Sequence, residues 1–412
     1  MKHEASSVLK VGCILLVALF LFYALSLMPQ SVQAQTVTTT IPVGNNAIGV
    51  AVTPNGAYAY VTNGLNSNSV SVINTATNTV TATITGFSSP LGVAVAPNGG
   101  NVYVANYVNN GSVSAISTAT NTITDTIPVG SFPSAVAVTP NDAYVYVTNT
   151  AQSSQNGTSV FSVSVIDTAT NTVTATITGS GLLGPRSVAI APNGECAYVV
   201  NDDSSVSVIN TTTNTITTNI FVGSSPNGVA VSPNGDYVYV VNIDSDSISV
   251  ISTASNTVTA TITLGTSFPG SAPEGVAVTP NGEYLYVTNY SSATVSVIST
   301  VMNTVTATIN GFNSPNGVAV TPNGAYVYVT NAGSISVIST SNANSPTTTP
   351  TAPPIVLPTH SPTSSPSYST KPSPTAGQVG LYGIEVAILI GIAVIIALLI
   401  VILTVVLKKG RR

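Results

Sequence analysis

A Pro-Asn-Gly tripeptide returns at Pro54, Pro97, Pro192, Pro233, Pro280 and Pro322, with Pro140-Asn141-Asp142 as a seventh, altered instance. The spacings are 43, 43, 52, 41, 47 and 42 residues. Periods of roughly 40 to 45 residues with several short strands per unit mark propeller blades, whereas helical repeats of that length need a 3.6-residue periodicity that is absent here. The expectation is an all-β chain, with residues 35–340 forming a seven-bladed β-propeller of four-stranded blades.

Each unit holds four strand-like runs. The first is wholly apolar, as in Gly49-Val50-Ala51-Val52, the pattern of a strand buried on both faces, with small residues suited to crowding around an axis. The turn follows, in which Pro presets φ while Asn and Gly tolerate the positive φ of a tight hairpin. Then come Tyr58 to Asn63, Ser69 to Ile73, and Thr79 to Ile84. In the last run Val80, Ala82 and Ile84 share one face and threonines the other, the alternation of a half-buried outer strand.

The array has unequal ends. The seventh unit stops at Thr340 without an outer strand, and the first is preceded by an orphan one, Thr36 to Ile41. One completes the other, so the N-terminal strand is expected to close the last blade and remove an open edge.

Charge locates the chain. Only 5% of residues are charged, against about 25% in a typical soluble domain. Six of the eight Lys and Arg lie near the termini, while residues 35–340 carry eleven carboxylates and one cation, Arg186. An acidic domain without Lys or His repels polyanions, which excludes nucleic acid as a partner.

Val11 to Leu27, apolar apart from Ser26, follows Lys2 and Lys10 and precedes Val32-Gln33-Ala34, the layout of a secretory signal over 1–34. An uncleaved first membrane helix is the competing reading. Cys13 begins the apolar run instead of following it, which rules out a lipoprotein signal. Residues 384–407 are expected to cross the membrane, their uncharged stretch running from Val386 to Leu407, and the basic tail 408–412 is then cytoplasmic. Residues 341–380, rich in Pro, Ser and Thr, read as an extended stalk, either bare or O-glycosylated. The propeller is therefore expected outside the cell, monomeric and membrane-anchored.

The unit GVAVTPNGAYAYVTN…NSVSVINTATNTVTATI resembles the YVTN β-propeller repeat of archaeal surface-layer and related extracytoplasmic proteins. Tyr-Val-Thr-Asn is intact at Tyr60, Tyr146, Tyr286 and Tyr328 and varied at Tyr103, Tyr198 and Tyr239. The resemblance implies a seven-bladed propeller on a cell surface. It implies little about activity, because that fold hosts lactonases, amine-dehydrogenase-like subunits and plain binding modules.

Loops entering the first strand of each unit place Ile48, Leu91, Ser134, Arg186, Asn227, Glu274 and Asn316 at the channel mouth, the expected address for a small ligand. Arg186 could take a carboxylate or phosphate, or pair with a neighbouring acid such as Glu274. Asp202 and Asp203 in unit four, with Asp244 and Asp246 in unit five, offer the hard oxygens that Ca²⁺ takes, although no EF-hand spacing is present and a solvated acidic rim explains them equally. No other cofactor is implied. Catalysis has little support: no His lies within 35–340, and Cys196 stands alone in a strand as apolar filler. Asn110, Asn156, Asn210 and Asn289 begin N-glycosylation triplets, with Asn110 and Asn156 the favoured pair. The leading expectation is a surface module binding an extracellular protein or glycan, or contributing to an envelope layer; the alternative is a lactonase-like hydrolase.

Overall fold

The computed structural model describes residues 35–64, 66–150, 161–265 and 270–340. The expected signal (1–34), stalk (341–380), membrane helix (384–407), basic tail (408–412) and Asn156 lie outside the described residues. Seven four-stranded antiparallel sheets follow one another along the chain. The first blade is built from β2 (Ala47–Val52), β3 (Tyr58–Asn63), β4 (Ser69–Asn74) and β5 (Thr79–Thr85), from the channel outward. Five more repeat it over residues 90–128, 133–177, 185–221, 226–263 and 273–310. The seventh combines Val318–Val320, Tyr326–Thr330 and Ser334–Ser339 with β1 (Val37–Pro42), which pairs antiparallel with Ser334–Ser339. The N-terminal strand thus closes the ring.

Apolar burial lies between blades. Tyr60, Val70, Val72, Ile84 and Phe87 of the first blade pack on Val102, Val104 and Ile116 of the second, and the seam between blades seven and one joins Tyr328, Ile335 and Val337 to Ala59, Val61 and Ile73. The most buried strands are β3 and β4, not the innermost one as the apolar run suggested. In β2, Ala47 and Val50 are buried while Gly49, Ala51 and Val52 stay partly open. The reason is topological: β2 is an edge strand whose free side borders the channel.

The motif letters divide the work. The Tyr60 hydroxyl, buried and pushed up to about 12, donates to Asn121 Oδ1 of the next blade at 2.7 Å. Tyr146 reaches Asn214 at 2.6 Å, Tyr328 reaches Asn78 at 2.9 Å, and Tyr286 reaches Gln35 beside the closing strand at 2.8 Å. The motif asparagine works inside its blade: Asn63 Nδ2 donates to Ser69 Oγ at 3.1 Å and Ser71 Oγ at 2.9 Å. Asn289 is one of these. It is 1% exposed, and its amide donates to Thr294 and Ser296 at 2.9 Å, so the folded chain withholds it from glycosylation. Asn110 is exposed, and Asn210 is half-buried with its oxygen accepting the Thr212 and Thr213 amides.

The outer strand alternates as expected but carries one irregularity in its pairing. Val72 pairs with Ala82 but Ile73 with Val80, leaving Thr81 as the extra residue of a bulge. Its hydroxyl donates to the Val72 carbonyl at 3.2 Å. Thr38, Thr124, Thr174, Thr217, Thr259 and Thr306 do the same in the other blades. A threonine at this position replaces the ladder bond that a bulge removes. Burial nonetheless alternates in outer strands such as Thr215–Phe221 and Thr257–Thr263, and in the first blade it deepens from Val80, 37% exposed, to the buried Ile84.

In the turn only Gly56 takes positive φ, at 71°, and its amide donates to the Thr53 carbonyl at 2.8 Å. Asn55 instead accepts the Thr53 hydroxyl at 2.7 Å. Blade three puts Asp142 in that left-handed position, at φ 64°, with Oδ1 buried and unpartnered. Burial pushes its carboxyl above the usual range, opposed by the Asn98 amide. Asp142→Gly is expected to raise stability by about 1 kcal/mol at pH 7, chiefly by relieving the backbone. A carboxyl raised on folding opposes folding once ionised, so the gain should be larger at pH 7 than near pH 3. Urea midpoints at the two pH values test this, and an unchanged or lower midpoint at pH 7 would contradict it.

Candidate functional site

Blade geometry sends the residue before each Gly-Val-Ala-Val-like strand to the same rim. Ile48, Leu91, Ser134, Arg186, Asn227, Glu274 and Asn316 all border one cavity of about 470 Å³ at the channel mouth. Clefts of about 580 and 810 Å³ lie elsewhere, between blades three and four. They hold no cation; the mouth does.

The rim is held by latches between blades. Thr62 Oγ1 accepts the Gly49 amide at 2.8 Å and donates to the Leu91 carbonyl of the next blade at 2.6 Å. Thr148, Thr288 and Thr330 make the same link to the Arg186, Asn316 and Ile48 carbonyls at 3.2, 2.5 and 2.9 Å. Gly49 is required by this closeness, since a Cβ there would stand 2.6 Å from the Leu91 carbonyl oxygen. Ala105, Val200 and Val241 replace the threonine in blades two, four and five. At the seam between blades five and six, Asn227 Nδ2 takes over, meeting the Glu274 carbonyl at 3.3 Å.

Charge gathers on one side. Arg186 Nε donates to Asp202 Oδ1 in an ion pair, both side chains remaining about half exposed. The expected pairing of Arg186 with a neighbouring acid is present, but the direct partner is Asp202 rather than Glu274. Glu274 Oε2 accepts from Asn227 Nδ2 at 2.6 Å. Burial pushes the Glu274 carboxyl up, against the nearby Arg186 charge and the Asn227 bond. Across the mouth stands Tyr107, 39% exposed, its ring edge-on to Phe132 at 5.2 Å and 61°.

The four aspartates considered for Ca²⁺ are spent separately. Asp202 pairs with Arg186, Asp203 accepts the Ser205 hydroxyl at 2.5 Å, Asp244 accepts the Ser225 hydroxyl, and Asp246 accepts the Ala272 amide at 2.9 Å. Among the described residues no three His, Cys, Asp or Glu gather to hold a metal. Cys196 opens its strand half-buried instead of filling the core, and burial raises its thiol.

Tyr107, Thr150 and Asp202 at the mouth were not among the ring expected from sequence. Each directly follows the motif asparagine, at Asn106, Asn149 and Asn201, so the signal was positional.

No curated protein matches this chain. The fold is similar to that of Kuenenia stuttgartiensis hydrazine synthase, with a TM-score of 0.64 and 22% identity, covering 76% of this chain and 99% of that one. The family model described as Lactonase, 7-bladed beta-propeller matches residues 101–218 and 183–306, which together span half of the sequence. By that match, and by seven blades closed through the N-terminal strand, the chain belongs to the seven-bladed lactonase-type propeller family.

Proposed function

We propose that this chain is a binding module of the YVTN kind, displayed outside the cell by the signal 1–34 and the membrane segment 384–407, whose channel mouth takes a small polar ligand. The observation that carries the reading is convergence: seven rim residues from seven blades border one cavity, with a cation, two carboxylates and an aromatic ring on its wall. Pockets that bind small molecules have this makeup, a formed cavity with a few polar groups fixed by neighbours. Hydrolysis is the second reading, favoured by the family description and by a carboxyl raised through burial at Glu274. Against it, no His lies within residues 35–340 to activate water, and Arg186 Nε is spent on Asp202.

The full chain in detergent, offered δ-gluconolactone and N-acyl homoserine lactones, is expected to give no turnover above buffer. Thermal-shift screening of the same preparation against small metabolites should find a ligand whose stabilisation is weakened by substitution of a mouth residue, Arg186→Ala or Glu274→Gln. Turnover abolished by Glu274→Gln would replace the binding reading with the enzymatic one.

A further inference from the structure

We infer that the channel mouth selects an organic ammonium ion with an apolar body, the ammonium at Glu274 and the body against Tyr107. This rests on reading the mouth as a binding site and names what it binds.

Charge balance comes first. Arg186 is ion-paired with Asp202, and it also sets its charge against the second carboxylate, Glu274. One guanidinium serving two carboxylates leaves the wall one unit negative. Among the described residues the direct partner of Glu274 is neutral, the Asn227 amide on Oε2, which leaves Oε1 for a further donor. A half-buried carboxylate in that position is completed by a cation that brings its own N–H groups. The surrounding field points the same way: eleven carboxylates against one cation over residues 35–340 attract cations and repel anions.

The aromatic wall is the second observation, independent of charge. The residue just before the inner strand, or at the equivalent place before Pro315 in blade seven, lies in the left-handed region in all seven blades: Asn46, Ser89, Phe132, Gly184, Ser225, Ala272 and Ser314, at φ from 45° to 67°. Six are small or polar. Phe132 alone is bulky, at φ 52°, a conformation that costs an aromatic residue more than asparagine or glycine. What the bulky residue does there is brace Tyr107 from the side, leaving that ring turned to the cavity. An aromatic ring lining the same cavity as unbalanced negative charge suits an alkyl- or arylammonium that spans the mouth, through ring contact and cation–π attraction.

Titration calorimetry on the full chain in detergent tests this with three near-isosteric probes: phenethylamine, 2-phenylethanol and phenylacetate. Phenethylamine is expected to bind about tenfold or more tightly than the alcohol, in line with a charged hydrogen bond, and phenylacetate not at all. Glu274→Gln, which keeps an oxygen for Asn227, should lower phenethylamine affinity about tenfold. Tyr107→Phe should bind within about twofold of the wild type and Tyr107→Ala about fivefold more weakly, since the ring face is what is used. Phe132→Asn, which suits the left-handed backbone, should weaken binding without lowering the melting temperature, a combination a purely structural residue would not give. Equal binding of the alcohol or the acid, or full affinity in Glu274→Gln, overturns the ammonium assignment. If none of the three binds while a screened metabolite does, and Arg186→Ala abolishes that binding, the assignment falls and the binding reading stands. If nothing binds, both fall.

Discussion

Deleting residues 35–44 from the full chain is expected to lower the melting temperature by about 10 °C or more, or to abolish the cooperative transition. The deletion removes β1, whose register runs from Val37 opposite Ile338 to Pro42 opposite Ser334. It also removes Ile41 from the core shared with Ile335 and Val337, and with it the partly buried Val43. Gln35 goes too, and the buried Tyr286 hydroxyl loses its acceptor. Losing the burial of Val37, Ile41 and Val43 alone amounts to on the order of 5 kcal/mol. Ser334–Ser339 would become an open edge able to pair with other chains. A rescue separates lost closure from general damage. Appending a copy of residues 75–85, the turn and outer strand of blade one, after Ser339 gives blade seven the connection its six neighbours use. That chain should recover most of the lost stability. A deletion that melts like the parent, or a rescue without effect, would mean the ring does not depend on its seal.

The seal was legible because it is a matter of inventory: Thr36 to Ile41 had no unit and the last unit had no outer strand. Blade number was legible for a similar reason, since the turn needs a residue at positive φ and Gly56 and its counterparts recur with it. The rim residues were legible by register, each lying at a fixed offset before an apolar strand. What stayed hidden depends on contacts between blades. Thr62 meets Leu91, 29 residues on, and its partner there is a backbone carbonyl that any residue supplies. The bulge at Thr81 leaves the apolar alternation intact, in sequence and in the burial of the other outer strands, and so gives no sign of itself in the sequence. The innermost strand looked doubly buried because its composition reports its faces and not its edge, and the edge is what borders the channel. Asp202 was grouped with other acids by composition, when its neighbour in space is Arg186 from the preceding strand. Asn289 looked available as a triplet, but it is also a motif asparagine, and that role buries it.

The Thr latch gives the second large expected effect. Replacing Thr62, Thr148, Thr288 and Thr330 together by Val should cost about 6 kcal/mol, because every change strands a backbone donor and all but Thr148 also strand an acceptor, the Arg186 carbonyl keeping the Ser134 hydroxyl at 2.6 Å. For Thr330 these are the Gly317 amide, donating at 2.7 Å, and the Ile48 carbonyl, accepting at 2.9 Å. Valine matches threonine in shape, so packing is nearly preserved and the loss reports the hydroxyl. Thr288, Thr330 and Thr62 are linked through two shared peptide groups, Asn316–Gly317 and Ile48–Gly49, so their single changes should couple, whereas Thr148 sits apart and should add to the others. Serine is the control: it keeps the hydroxyl and loses one methyl, so Thr330→Ser should cost about 1 kcal/mol or less. The converse change, Val200→Thr, installs a latch where blade four has none and should stabilise by about 1 kcal/mol. Urea unfolding of the full chain in detergent reads all of these. Were serine as damaging as valine, the methyl and not the hydroxyl would be holding the blades, and the third letter of the motif would be a packing residue.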